Sequence, residues 1–245
     1  MRRLFIEGEL SENIIIRGAD AHHLMHVMRA KAGEQLTVVD DHGQVALLEM
    51  TAFTAETVTL RMVERLEADT EPPVELTLAQ CLLKADKMDW IVQKAVELGA
   101  TCIVPVASQN CVVRYDARKS VQRRERWQKI ADEAAKQCGR TKLVEVKPIL
   151  GWQELVKMIS CGNSEWYFCY ENEQQQKLKE SLRQSKADSL SVLIGPEGGF
   201  TPTEAESVEQ AGGKSVTLGP RILRAETAAL AALSVLQYEA GDLGG

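Results

Sequence analysis

The sequence predicts an α/β protein in which a small β-rich domain precedes a mostly parallel sheet covered by helices on both faces. After residue 73, strand-like and helix-like patterns alternate strictly, which is typical of parallel sheets. Before residue 71, short alternating runs of polar and apolar residues dominate. Glu71-Pro72-Pro73 separates the two patterns, and two prolines continue neither a helix nor a central strand. We therefore predict two domains, residues 1–71 and residues 72–245.

The amino-terminal domain is predicted to hold strands and one short helix, and to form a small barrel. Its strand-like runs are residues 35–39, 45–50 and 57–63. Asp41-His42-Gly43 lies where a hairpin turn is needed between the first two runs. Residues 20–29 have helical spacing of apolar residues, and Asp20 is a suitable N-cap.

The second domain is predicted to alternate strands with helices along its whole length. Its predicted strands are residues 74–79, 102–106, 143–146, 166–169, 190–194 and 214–218. Its predicted helices are residues 86–98, 120–138, 152–159, 173–184, one that starts at Thr201, and 225–238. Gly99 suits the position after a helix, and Thr201-Pro202-Thr203-Glu204 has the residues of a capping box.

Composition predicts a cytoplasmic protein. The 245 residues are 44% apolar and 26% charged, which is ordinary for a globular chain. No apolar run approaches the length that crosses a bilayer. Glu7 and Glu9 interrupt the first apolar run before it reaches the length of a signal-peptide core. We expect no association with a membrane.

Cysteine and histidine usage predicts neither disulfides nor a metal site. The six cysteines are scattered and form no Cys-x-x-Cys pair, which indicates reduced thiols. His22 and His26 share a helix face, as metal ligands do, and His23 lies beside them. No cysteine or acidic cluster completes the set, so we expect no metal.

The charge distribution is uneven. The net charge is −6, which argues against nucleic acid as a partner. Between Arg114 and Lys147, however, eleven lysines and arginines face five acidic residues. This basic stripe is either a phosphate-binding surface or a solvated helix face, and charge alone does not separate the two.

Two glycine-rich loops are the most informative feature of the chain. Gly195-Pro196-Glu197-Gly198-Gly199 and Leu218-Gly219-Pro220-Arg221 each follow an apolar run and precede a helical pattern. Glycines after a strand let bare backbone approach a ligand, so two such loops predict one pocket. The alternative is a pair of ordinary tight turns.

Several kinds of site are excluded by absent motifs. The chain has neither a Walker-type phosphate loop nor the Gly-x-Gly-x-x-Gly of dinucleotide sites. It has no Gly-x-Ser-x-Gly elbow and no histidine after residue 42, which excludes a Ser-His triad in the second domain.

The loops closely resemble the paired signature of the RsmE family, the 16S rRNA (uracil-N3)-methyltransferases of the SPOUT superfamily. The matching residues are 194–200 with Thr203 and Glu204, and then 218–228. The resemblance extends over nearly the whole chain, through His22-His23-Leu24, residues 84–99 and residues 126–140. It implies a PUA-like β-barrel followed by a SPOUT domain tied in a trefoil knot, a fold that composition does not suggest.

The resemblance also implies a cofactor, a substrate and an assembly. The cofactor is S-adenosylmethionine, the substrate is 16S rRNA in the small ribosomal subunit, and the active form is a homodimer. The residues implied to bind the cofactor are Ile194, Gly195, Glu197, Gly198, Gly199, Leu218, Gly219, Ile222, Leu223 and Arg224. Glu197 either orients the cofactor or positions another loop.

Two arginines are candidate catalytic residues. Arg224 is expected to stabilise the uridine anion, with a salt bridge to Glu226 or Glu197 as its structural alternative. Arg140 is expected to bind a phosphate or a base of the RNA. In the alternative interpretation, Arg140 is a cation that only stabilises the carboxyl end of the preceding helix. The residues expected to contact RNA are Arg2, Arg3, His23, Arg29, Arg123, Arg124 and Arg140.

One departure from the family pattern bears on function. Asn110 stands where the family usually has an arginine, which leaves the role of that position open. We predict methylation of uridine N3 in 16S rRNA. The alternatives are a SPOUT methyltransferase that acts on tRNA and an RNA-binding module with weakened catalysis.

Overall fold

The chain folds into two compact units in a computed structural model that describes residues 3–68, 70–84 and 86–244. The first unit takes the residues up to Glu71 together with Ala135–Leu143. The second takes Pro72–Ala134 and the residues from Val144 onward. The return of residues 135–143 to the first unit has no counterpart in the sequence pattern. The assignment of residues 1–71 and 72–245 to two functional domains stays a prediction.

The first unit is built on a five-stranded sheet. Its strands are β1 Arg3–Phe5, β2 Asn13–Arg17, β3 Gln35–Val39, β4 Val45–Phe53 and β5 Thr57–Leu66. They lie in the order β1-β3-β4-β5-β2, with β1 parallel to β3 and the other pairs antiparallel. Alternate residues such as Leu48, Met50, Val58 and Leu60 fill its core. The β-rich character predicted for this part is confirmed, and the sequence pattern missed β1 and β2.

The helix predicted over residues 20–29 takes a different form. Helix α1 is Gly18–His22, and a π-helical turn follows at His23–Val27. The amide of Met28 donates to the carbonyl of His23, five residues earlier, which is the hydrogen-bond spacing of a π-helix. Arg29 then has φ 52°, a left-handed conformation that ends the turn.

Glu71 holds the returning segment within the first unit. Its Oε2 accepts from Arg140 Nη2 at 2.6 Å, and its Oε1 accepts from the amides of Thr141 at 2.8 Å and Lys142 at 3.1 Å. Arg3 Nη1 donates to the Arg140 carbonyl at 3.0 Å. Burial alone would raise the pKa of Glu71, but these hydrogen bonds and the Arg140 charge lower it below its usual value.

The second unit is a parallel sheet flanked by helices. Its strands are β6 Glu75–Cys81, β7 Cys102–Ala107, β8 Glu145–Val146, β9 Leu150–Gly151, β10 Glu165–Cys169, β11 Ser189–Ile194 and β12 Lys214–Val216. Its helices are α2 Lys87–Glu97, α3 Ala117–Cys138, α4 Trp152–Cys161, α5 Leu178–Leu182, α6 Pro202–Gln210 and α7 Ala225–Ala240. Residues 135–138 of α3 belong to the first unit.

The sheet order is β12-β10-β11-β6-β7-β8, with β9 also paired to β7. Every pair of these strands is parallel. This arrangement confirms the predicted α/β class with a parallel sheet, whereas the trefoil knot stays a prediction. Within the described residues, no helix is long and apolar enough to cross a membrane.

The helix predicted over residues 173–184 is mostly a loop. Only Leu178–Leu182 is helical, because the preceding residues run beside the end of β12. The amide of Thr217 donates to the carbonyl of Gln176 at 2.8 Å, and that of Leu178 donates to Thr217 at 3.3 Å. Glu173 Oε1 accepts from the amides of Gln175 and Gln176, which stabilises this non-helical turn.

The Glu71–Arg140 pair predicts a pH-dependent stability. Glu71→Gln replaces the ion pair with Arg140 by a neutral amide and weakens the bonds to the amides of residues 141 and 142, so we expect a loss of about 2–3 kcal/mol at pH 7. Because the folded pKa of Glu71 lies below 4.5, the wild-type advantage is full above pH 4.5 and shrinks as the pH falls further. Urea unfolding at pH 7 and pH 4 measures it. Glu67→Gln, at an exposed carboxylate, is the control, and an equal loss in both variants contradicts the expectation.

Candidate active site

Three parallel strands end at one level and bring their loops together. Cys169, the last residue of β10, is paired with Ile194 of β11 on one side and with Val216 of β12 on the other. The loops after these strands therefore meet at one edge of the sheet. They enclose a cleft of about 1020 Å³.

The cleft collects almost all the residues predicted to bind a cofactor. Those that line it are Ile194, Gly195, Glu197, Gly199, Leu218, Gly219, Ile222, Leu223 and Arg224. The two glycine loops thus form one pocket rather than two separate turns. Gly198 does not line the cleft, because it faces Asn110: a Cβ built on Gly198 would lie 3.1 Å from the Asn110 Cβ.

Glycine is required in the first loop for conformation as well as for space. Gly199 has φ +67°, a left-handed backbone that other residues rarely adopt. A Cβ there would also lie 2.9 Å from Glu171 Oε1. Asn110 Nδ2 donates to the carbonyls of both Gly198 and Gly199 at 3.1 Å. Asn110, whose role the sequence left open, therefore supports the loop from outside the cleft.

Lys87 joins the two sides of the cleft through carboxylates. Its Nζ lies 3.2 Å from Glu197 Oε1 in the first loop and 3.3 Å from Glu226 Oε2 in the first turn of α7. Hydrogen bonding to Glu197, and then to Glu226, raises the pKa of Lys87, so the amine stays charged. The amide of Lys84 also donates to Glu197 Oε1, at 3.4 Å. Of the two roles left open for Glu197, this geometry favours positioning a loop.

Arg224 lies at the mouth of the cleft with its side chain exposed. It is the N-cap residue of α7, so it stands at the positive end of that helix. Its predicted structural alternative was a salt bridge to Glu226 or Glu197. Among the described residues Arg224 forms no ion pair, because both carboxylates are bound to Lys87. Its catalytic role stays a prediction.

The arginines and the one histidine predicted to contact RNA fall into two groups. Three use their guanidinium groups within the fold: Arg3 on the Arg140 carbonyl, Arg124 on the Val146 carbonyl at 2.9 Å, and Arg140 on Glu71. Arg140 is only 4% exposed, and this burial favours a structural role over a grip on RNA.

The second group remains accessible. Arg29 and His23 are exposed, and Arg123 is half-buried with its Cζ 5.5 Å from the centre of the Tyr115 ring. Arg2 lies outside the described residues. The contacts of all these side chains with RNA stay predictions.

Within residues 3–68, 70–84 and 86–244, no group of three or more His, Cys, Asp or Glu side chains could hold a metal ion. The His22 and His26 rings, 4.5 Å apart, contact each other instead. The six cysteines are free thiols, of which Cys81 and Cys111 are buried.

Comparison with known proteins gives matches over both units. A family model described as an RNA methyltransferase domain matches residues 70–237, and one described as an RNA methyltransferase PUA domain matches residues 16–63. Ribosomal RNA small subunit methyltransferase E of Bacillus subtilis (strain 168) is 35% identical over 251 residues, which covers 98% of this chain and 97% of that protein. The protein of the same name from Buchnera aphidicola subsp. Schizaphis graminum is 29% identical, with the same coverage.

A solved structure is similar over the same length. The crystal structure of a ribosomal RNA small subunit methyltransferase E from Neisseria gonorrhoeae, bound to S-adenosyl methionine, matches with a TM-score of 0.88 and 32% sequence identity. The match covers 99% of this chain and 99% of that chain. The similarity therefore includes the glycine loops and the strands that carry them.

Proposed function

The chain belongs to the family of ribosomal RNA small subunit methyltransferase E, and from this premise we propose that it transfers a methyl group from S-adenosylmethionine to N3 of one uridine in 16S rRNA. The comparisons confirm the resemblance that the glycine loops predicted. The observation that carries the proposal is the single cleft formed by both loops at the carboxyl edge of the parallel sheet.

The cleft suits S-adenosylmethionine in size and in lining. Its volume of about 1020 Å³ lies at the upper end of the range for small-ligand sites, roughly 300–1,000 Å³. A Cβ built on Gly219 meets nothing within 4 Å, so bare backbone of the second loop is open to a ligand. We infer that Gly195, Gly199, Leu218 and Leu223 hold the cofactor. When bound, its sulfonium supplies an activated methyl group.

Methylation at N3 needs a uracil that has lost its N3 proton. Two exposed arginines line the cleft, Arg221 and Arg224, and we assign the resulting anion to Arg224 because of its place at a helix end. Arg224, exposed and unpaired among the described residues, stands at the N-terminus of the 16-residue α7. Its guanidinium and the helix dipole together favour negative charge at the mouth of the cleft. Lys87 is held as an ammonium by two carboxylates, so it is not the proton acceptor.

The accessible cations define the RNA surface in this proposal. Arg114, Arg118 and Lys119, at the start of α3, are exposed, and Arg123 lies one turn further along. No ion pair involves these four side chains in the part of the chain that the structure describes. We assign them, with His23 and Arg29, to phosphate contacts. Since ribosomal RNA is the substrate, we expect the reaction to take place in the cytoplasm.

One assay tests the proposed function. Labelled S-adenosylmethionine is incubated with naked 16S rRNA, with small subunits, with whole ribosomes and with tRNA, and nucleosides from the RNA are analysed by mass spectrometry. We expect a single N3-methyluridine. Methylation of tRNA alone supports the first alternative. Cofactor binding or RNA binding without any methyl transfer supports a module with weakened catalysis.

The cofactor site makes a prediction about Lys87. Lys87→Met removes the one cation between Glu197 and Glu226, so the first loop and the start of α7 repel each other. We expect the Kd for S-adenosylmethionine, measured by calorimetry, to rise about tenfold, which corresponds to roughly 1.4 kcal/mol. Lys94→Met, which breaks the Lys94–Glu97 pair on the same helix, is the control and should leave Kd unchanged. Equal affinity in both variants would falsify this role.

The catalytic proposal makes a second prediction. Arg224→Gln keeps the size and polarity of the side chain but removes its charge, so it should lower kcat about 100-fold, the usual effect of losing one stabilising donor. The Kd for S-adenosylmethionine should change less than twofold. Arg221→Gln, at the other exposed arginine that lines the cleft, is the matched comparison and should retain the wild-type kcat. If both variants retain wild-type kcat, another group stabilises the anion.

A homodimer is also proposed, on the basis of exposed apolar side chains. Ile222 is 87% exposed, Tyr238 is 67% exposed on α7, and Trp90 is partly exposed on α2, which packs against α7. Ala229 and Ala232 are fully buried within the chain, so substitutions there would disturb its own core. We expect light scattering to show two chains per particle at micromolar concentration, and Ile222→Glu with Tyr238→Glu to give monomers. A dimer that survives both changes uses another surface.

A further inference from the structure

A second cleft lies in the same unit and shares no lining residue with the first. Its volume is about 620 Å³, and it lies beside the carboxyl ends of β6, β7 and β9. The first glycine loop and Asn110 lie between the two clefts. Both clefts therefore open at the carboxyl edge of one parallel sheet, on either side of the first glycine loop, whose carbonyls bind Asn110.

The lining of this cleft combines aromatic faces with unused polar groups. Tyr115 and Trp152 supply the rings, and Ser120, Gln153 and Thr203 supply hydroxyl and amide groups. Within the described residues, the side chains of those three polar residues form no hydrogen bond. They are available to a ligand.

The one carboxylate in the lining is already fully engaged. Glu204 Oε1 accepts from the amide of Gln109 at 2.8 Å, and its Oε2 accepts from the amide of Thr201 at 2.9 Å. Glu204 is buried, and both of its oxygens are used by these bonds rather than being turned to a ligand. The interior of the cleft therefore combines apolar and aromatic surface with hydrogen-bonding groups at its wall.

The rim of the cleft is cationic. Arg114 lines it, and Arg118, Lys119 and Arg123 follow along the start of α3. Arg123 lies over the Tyr115 ring, with its Cζ 5.5 Å from the ring centre. Asp116, the acidic residue among them, accepts from the amide of Lys119 at 2.8 Å and caps the helix. A ligand with an anionic backbone and a flat, polar-edged ring suits this combination of rim and interior.

We propose that the second cleft binds an unstacked nucleotide of the rRNA strand that carries the target uridine. Single-stranded RNA is recognised by bases that stack on aromatic or arginine side chains and form hydrogen bonds at their edges. The base occupies the cleft beside Tyr115 and Trp152, and its phosphate meets the rim. The inference rests on the proposed function, since it takes an RNA substrate as given. Recognition of a second base would explain how one uridine is selected among many.

The test fills the second cleft with a large side chain and leaves the residues of the first cleft unchanged. Ser120→Trp places a large ring in the cavity, and Gln122→Trp, at an exposed position outside it, is the matched control. We expect the KM for rRNA to rise about tenfold in Ser120→Trp, as for loss of one base stack. The kcat and the Kd for S-adenosylmethionine should stay at wild-type values in both variants. Gln153→Trp fills the same cleft from α4 and replaces Ser120→Trp if that variant does not fold.

Photo-crosslinking identifies the occupant directly. Substrate RNA that contains 4-thiouridine around the target position is irradiated with the wild-type protein, and crosslinked peptides are mapped by mass spectrometry. We expect crosslinks at Tyr115 or Trp152, lost in the filled variants and retained in Gln122→Trp.

The outcomes separate the two proposals. Methylation by the wild type, with an unchanged KM in both filled variants and crosslinks elsewhere, overturns the cleft proposal alone. A second experiment with a protein–protein crosslinker on small subunits overturns it in favour of a protein partner if this cleft is joined to a ribosomal protein and no RNA crosslink is found there. If the wild type methylates no rRNA, the proposed function fails, and the assignment of this cleft to rRNA fails with it.

Discussion

The register of three parallel strands is the constraint on which the candidate active site depends. Cys169 is paired with both Ile194 and Val216, so β10, β11 and β12 end at one level of the sheet. The loops that follow these strands therefore lie next to one another. A shift of one residue in either pair would turn alternate side chains to the opposite face and separate the loops. The strand register thus determines where the loops lie, and the glycines determine the backbone conformation within them. Gly199 adopts the left-handed conformation in the first loop.

Several cations next to the sheet and the helices are paired with carboxylates within the fold. Asp89 binds Arg126, Glu71 binds Arg140, and Lys87 is shared by Glu197 and Glu226. In a chain of net charge −6, Arg114, Arg118, Lys119 and Arg123 still form a local basic cluster around the start of α3. Phosphate contacts need only such a local surface, because screening weakens the effect of distant acidic residues beyond about 8–10 Å at ordinary salt.

Much of this fold follows from local pattern, and the exceptions have non-local causes. The alternation after residue 73 predicted the parallel sheet, and glycines placed directly after strands predicted a shared pocket. Arg140 appeared suited to RNA in the sequence because its partner, Glu71, lies far away along the chain. Residues 173–177 have helical composition, but Gln176 and Lys177 pair with Thr217, directly after β12, a contact that local propensity does not contain. The second cleft was missed for the same reason: its aromatic and polar residues come from separate segments.

The path of the chain limits how this protein could be assembled in evolution from independent parts. The backbone passes from one unit to the other at residue 71, again at 134 and once more at 143. Recombination at the two prolines would join a foreign amino-terminal unit to a segment directly after α3, residues 140–142, that is bonded to Glu71 of the original one. A hybrid of this kind would inherit Arg140 without Glu71. The two units are therefore expected to be inherited together, and changes at Glu71 and Arg140 should be correlated rather than independent.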